Sequence, residues 1–127
     1  MKIGLDLDGT ITQHPQFFSK LSHLWDDVYI ITARTGTHRE RDEQELTKLG
    51  IKYKDIIYAN ADDDSKAKAI KELGIEVFFD DMPEFLVHID KDVACFLVRE
   101  DYNFDYKNKQ TTESVGISPF DKVSICC

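Results

Sequence analysis

The stretch KIGLDLDGT, residues 2–10, passes from apolar residues straight into two aspartates and a glycine. Lys2 to Asp8 reads as a short buried strand, with Ile3, Leu5 and Leu7 on one face and Gly9 permitting a sharp exit. The next apolar run, VYIITA at 28–33, has the continuous hydrophobic character of a strand covered on both faces. Between the two, Pro15 suits the first turn of a helix reaching Trp25. Phe17, Phe18, Leu21, Leu24 and Trp25 follow at helical spacing as core residues.

Further along, the alternation repeats. Thr37 with Glu40 forms a capping-box signature, and Gly50 follows Leu49 where that helix should stop. The intervening HRERDEQELTKL is so charged that this helix keeps most of its surface in water. Asp55–Ala59, Glu76–Asp80 and Val93–Val98 read as strands, Ser65–Leu73 and Pro83–Ile89 as helices. Ala69, Ile70 and Leu73 face inward, and Asp62, Asp63 and Asp64 cap the helix that starts at Ser65. Strands alternating with helices predict a three-layer, Rossmann-like α/β fold with a mainly parallel sheet of about five strands. The core is expected over about residues 1–99 of a single domain spanning 1–127. In the extension over about 100–127, Tyr102, Phe104 and Tyr106 alternate, which fits either an edge strand or the packing of a tail.

Composition narrows the function. A net charge of −8 and a pI near 4.9 argue against a general nucleic-acid surface, which needs a basic face. Three cysteines, two of them the terminal Cys126 and Cys127, make no disulfide framework, so a reducing cytoplasm is the expected location. Neither a signal peptide nor an apolar run of about 20 residues is visible, so a soluble protein with no membrane partner is expected.

The polar residues fall at one place in the predicted fold. Asp6 and Asp8 end the first strand, Thr32 lies near the end of the second, and Asp80 and Asp81 end the fourth. Lys66 opens the helix leading into that fourth strand. In a parallel sheet these positions share one edge, where open α/β sheets bind ligands. Four carboxylates there repel one another unless a cation lies among them. An oxygen-rich set suits Mg²⁺ better than zinc, which favours His or Cys. Beside such a cation a carboxylate can attack phosphorus, and a second can protonate the leaving oxygen and then activate water. A hydroxyl and an ammonium can hold the remaining phosphate oxygens.

These residues resemble the motifs of the haloacid dehalogenase-like (HAD) hydrolases over roughly residues 1–99. DLDGT at 6–10 is similar to the first motif and IITAR at 30–34 to the second. SKAKAIKELGIEVFFDD at 65–81 is similar to the third and fourth run together. The resemblance implies a phosphomonoester phosphatase with Asp6 as nucleophile and metal ligand. Asp8 becomes the acid/base and a ligand through its backbone carbonyl. Thr32, Ala33 and Lys66 bind phosphate, with Lys68 as a rival to Lys66, while Asp80 and Asp81 serve the metal. Asp81 is expected to ligate directly and Asp80 to support it.

Family members commonly carry a cap domain. Here 19 residues separate Asp8 from Val28, 33 separate Thr32 from Lys66 and 13 separate Lys66 from Asp80. None reaches the roughly 40 residues a self-standing module needs, so a capless, open site is expected, covered by a second subunit or by a large substrate. The stretch from Thr32 to Ala59 is similar to the 5′(3′)-deoxyribonucleotidase branch, which makes a nucleotide an alternative substrate. Arg34, Arg39 and His14 are candidate substrate contacts, each weighed against a surface role. A signalling receiver domain gathers similar residues, but its acidic pair follows the first strand and its lone acceptor Asp the third. An inactive regulatory relative is the remaining alternative.

Overall fold

The structure, a computed structural model, describes residues 1–62, 64–100 and 102–103 and the backbone of 124–125. Five strands, β1 (Lys2–Leu5), β2 (Asp27–Thr32), β3 (Asp55–Tyr58), β4 (Val77–Asp80) and β5 (Ala94–Leu97), form one parallel sheet. A short β6 (Ser124–Ile125) pairs in parallel outside β5, giving the order β3-β2-β1-β4-β5-β6. Four helices connect the strands: α1 (Pro15–Ser22), α2 (Arg39–Lys48), α3 (Ser65–Leu73) and α4 (Pro83–Leu86). The predicted three-layer parallel fold is therefore present, and each connection between β1 and β5 in chain order is filled by one of these helices and its turns.

Period-two alternation sorts the core into two sides. Ile3, Leu5, Val28, Ile30 and Phe79 pack with Phe18 of α1 and Leu46 of α2. Ile31, Phe78, Cys95 and Leu97 pack with Ile70 of α3 and Leu86 of α4. The chain builds outward from β1 through β2 to β3, then crosses back to β4. Right-handed crossovers in the two directions put the helix pairs on opposite faces. On the second face Gly4 leaves room for its neighbours: a Cβ there would lie 2.9 Å from Phe78 and 3.0 Å from Ile31.

Several local expectations change. β1 ends at Leu5, so Asp8 stands in a turn rather than on the strand. α1 stops at Ser22, and Phe17 and Leu24 remain exposed. Adjacent helical residues lie about 100° apart, so Phe18 can face the sheet only if Phe17 does not. The Thr37 capping box does not form, because the Thr37 hydroxyl pairs with Thr35 Oγ1 at 2.7 Å in the loop. α2 begins at Arg39 instead, with Glu40 and Asp42 in its first turn, where the helix dipole favours negative charge. Asp64 occupies the N-cap of α3 without a side-chain capping bond and pairs with Lys68 at 3.3 Å. Tyr102 and Asn103 form a turn rather than an edge strand. Asp63, Phe104, Tyr106, Cys126 and Cys127 lie outside the described residues. No helix among those described is long and apolar enough to cross a membrane.

The exit from β1 shapes the site. Asp8 (φ −73°, ψ 127°) and Gly9 (φ 80°, ψ −8°) have the dihedrals of a type II turn, whose third position needs positive φ. A Cβ on Gly9 would also overlap the Asp81 carboxylate. Gly9→Ala is therefore expected to destabilise by roughly 1–3 kcal/mol, combining backbone strain with displacement of Asp81. Urea denaturation checks this, and an unchanged midpoint would refute it.

Candidate active site

Three carboxylates and one ammonium converge where β1 and β4 lie side by side. The Asp6 N–H donates to Phe79 O at 3.0 Å, which fixes the residue just beyond β1 against β4. Lys66, in the first turn of α3, is fully buried and donates from Nζ to Asp6 Oδ1 (2.7 Å) and Asp80 Oδ2 (2.8 Å). Its ammonium also lies 4.4 Å from the centre of the Phe85 ring, a cation–π contact. Asp80 Oδ1 accepts the Met82 N–H at 3.0 Å. The Thr10 hydroxyl lies 3.3 Å from both Asp6 Oδ2 and Asp81 Oδ1 and can donate to either.

One ligand oxygen from each of Asp6, Asp80 and Asp81 lies within 4.8 Å of the others, and all three residues are buried. With every carboxylate ionised, one ammonium against three aspartates leaves two uncompensated negative charges in a buried site. That donor set fits a hard divalent cation, and it holds no histidine or cysteine. Without a cation the charge excess falls on the acids. Burial, then the neighbouring Asp80 charge, raises the Asp6 pKa well above its ordinary value. Burial likewise pushes Asp80 up to about 6, against the opposing pull of Lys66. Burial disfavours the Lys66 ammonium, but the charges of Asp80 and Asp6 and the hydrogen bonds to both outweigh it and keep Lys66 protonated.

Asp8 stands apart from this cluster. Its side chain is 60% exposed and takes a bidentate pair from Arg34, Nε to Oδ2 at 2.8 Å and Nη2 to Oδ1 at 2.6 Å. The Arg34 hydrogen bonds lower its pKa. Arg34 also donates from Nη1 to Asp42 (2.5 Å) and Glu45 (3.0 Å), and the Tyr58 hydroxyl donates to Asp42 at 2.8 Å. Arg34 thus ties the turn at Asp8 to α2 and is both an ion-pair residue and a neighbour of the site. A cavity of about 450 Å³ opens beside it, lined by Arg34, Thr35, Gly36, His38, Arg41, Asp42 and Glu45.

Thr32 lies two residues beyond the Leu5–Ile30 pair and Asp6 one beyond it, so the two share a sheet edge. The Thr32 hydroxyl is buried and accepts the Arg34 N–H at 3.2 Å, while Ala33 is half-buried. Lys68 points to Asp64 and not to the cluster, so of the two lysines Lys66 alone reaches it. Arg39 pairs with Asp55 at 2.6 Å and Glu43 at 3.5 Å, and the His14 ring lies 3.5 Å from Arg99 O. Neither joins the carboxylates.

Sequence reasoning gave no role to two neighbours of the cluster. Thr10 was visible inside DLDGT, but only the turn at Gly9 folds its hydroxyl back onto Asp6. Tyr102, which donates to Asp81, sits 21 residues from its partner in a stretch whose aromatic alternation speaks only of packing. No local pattern announces such a contact.

No family model matches the chain, and no curated protein matches it. Among solved structures, a chain in the Pnkp1/Rnl/Hen1 RNA repair complex superposes with a TM-score of 0.56 at 19% identity. The match covers 76% of this chain and 41% of that one, so the resemblance is one of fold.

Proposed function

We propose that the chain is a capless phosphomonoester phosphatase of the HAD-like type that works with Mg²⁺ and forms a phosphoenzyme on Asp6. The observation that carries this reading is the buried Lys66 ammonium bridging Asp6 and Asp80, with Asp81 and Thr10 closing the same cluster. Asp6 and Asp81, with the Asp8 backbone carbonyl, would hold the cation with Asp80 in support, and the cation when bound neutralises charge on the transferring phosphate. An Asp6 oxygen forms a bond to phosphorus while the bond to the leaving oxygen breaks, and Asp8 supplies the proton that oxygen needs. Asp8 then takes a proton from water as its oxygen attacks the phosphoaspartate, which releases inorganic phosphate and restores Asp6. Thr32 and Lys66 would hold the other phosphate oxygens, together with backbone at Ala33. Arg34 keeps Asp8 ionised, the form that activates water, so the protonation step would require Asp8 to leave this pair and take a proton from solvent first. Purified protein is expected to hydrolyse an aryl phosphate with Mg²⁺ and to stop in EDTA. Hydrolysis at full rate in EDTA would sink the reading.

The two adjacent acids divide the work. Asp80 is already committed to Lys66 and the Met82 N–H, whereas Asp81 carries no cationic partner among the described residues. Asp81 is therefore the direct ligand and Asp80 the residue that orients Lys66. Asp81→Asn is expected to raise the Mg²⁺ concentration for half-maximal activity by more than Asp80→Asn does, by roughly 10-fold or more. The reverse ranking in a Mg²⁺ titration overturns this division and leaves the phosphatase reading standing. A capless site would take a nucleotide or a phosphorylated macromolecule as its substrate, with a second copy of the chain as an alternative cover.

A further inference from the structure

The residues just past β5 return to the site. Asn103 is fully occupied as a staple: Nδ2 donates to Asp81 O (2.7 Å) and Val98 O (2.8 Å), and Oδ1 accepts the Glu100 N–H at 2.8 Å. This holds Tyr102 at the rim, its ring largely exposed and its hydroxyl turned inward. That hydroxyl meets Asp81 O at 2.8 Å and lies in close hydrogen-bond contact with Asp81 Oδ2. Each of the three Asp81 oxygens thereby has a partner. The main-chain oxygen takes Asn103 and Tyr102, Oδ1 takes Thr10, and Oδ2 takes Tyr102.

Resting on the metal reading above, we propose that Tyr102 is a positioning residue that sets the orientation in which Asp81 ligates the cation. A carboxylate on a free hinge loses rotational freedom when it binds a metal, and an outer hydrogen bond removes that loss in advance. Both acceptors of the one Tyr102 proton lie on Asp81, whereas the one Thr10 proton is divided between Asp6 and Asp81. The second donor comes from the chain past the neighbouring strand β5, 21 residues beyond the ligand. The phenol contributes through its hydrogen bond and touches neither substrate nor reacting atoms.

Tyr102→Phe keeps the exposed ring and removes the donor. Titration calorimetry with Mg²⁺, repeated with Mn²⁺, is expected to show binding weakened by roughly 10-fold. Turnover at saturating Mg²⁺ should stay within about twofold, which separates positioning from chemistry. The rise in melting temperature produced by Mg²⁺ should shrink, while the melting temperature in EDTA moves little. Affinity equal to wild type in a folded Tyr102→Phe protein overturns the proposal. So does an equal drop in melting temperature with and without Mg²⁺, because that pattern belongs to packing alone. Should the wild-type chain bind neither cation, the metal reading fails and takes this role with it. Wild-type binding that Tyr102→Phe leaves unchanged defeats the Tyr102 role only.

Discussion

Asp6→Asn is expected to lower turnover by roughly 10⁴-fold or more, the scale seen when a covalent nucleophile is removed. An amide oxygen has neither the charge nor the basicity to displace an alkoxide from phosphorus. The same substitution should not harm the fold. Asp6 is buried, and burial already works against its charge, so a neutral isostere relieves a cost the wild-type protein bears without a cation. Lys66 keeps Asp80 as its partner. The melting temperature in EDTA should therefore match or exceed that of wild type while the aryl phosphatase assay falls to background. A folded Asp6→Asn protein retaining a tenth of wild-type activity would rule out Asp6 as the nucleophile.

Lys66→Met should act in the opposite way, damaging the fold as well as the chemistry. Removing one partner of a buried ion pair typically costs about 3–5 kcal/mol, because the charge left behind has no compensation. Here two carboxylates lose their common ammonium at 2.7 and 2.8 Å. The penalty should depend on pH with a definite sign. A carboxyl whose folded pKa is raised takes up protons on folding, so its contribution is fully present below the ordinary value of 3.8 and lost as pH rises through the folded value. For Asp80 that value is about 6 even with Lys66 in place. The stability deficit of Lys66→Met relative to wild type should thus be larger at pH 8 than at pH 5. Urea denaturation in EDTA at the two pH values measures it. An equal deficit at both, or none at pH 8, contradicts the buried-pair description.

Much of the fold was legible because each signal was local. α3 runs from Ser65 to Leu73 as its apolar spacing predicts, and Gly74 ends it in a left-handed conformation at φ 71°. The strands were found by their apolar runs, and their ends moved by at most three residues. The Thr37 capping box failed because a hydroxyl that can cap a helix can equally serve a loop, and Thr35 competed for it. Phe17 and Leu24 were misplaced because an aromatic-rich helix offers more apolar positions than one face can bury. In the site, convergence of Asp6, Lys66, Asp80 and Asp81 followed from topology alone, since parallel strands bring their C-terminal ends together. The separate setting of Asp8 did not follow. It depends on β1 ending at Leu5 and on Arg34, whose competing partners Asp42 and Glu45 lie on a different helix.

The placement of β1 at the middle of the sheet divides the chemistry between two lengths of chain. Asp6, Asp8, Thr10 and Thr32 precede the exposed residues Asn60–Asp62, while Lys66, Asp80, Asp81 and Tyr102 follow them. The hydrogen bonds that close the cluster on Asp6 and Thr10 span 60 and 71 residues. Neither length holds the charge cluster alone, and the cluster arises only when β4 pairs beside β1. A chain opened at residues 60–62 becomes a two-piece assembly: neither piece holds the buried cluster by itself, and it exists only while the pieces stay joined.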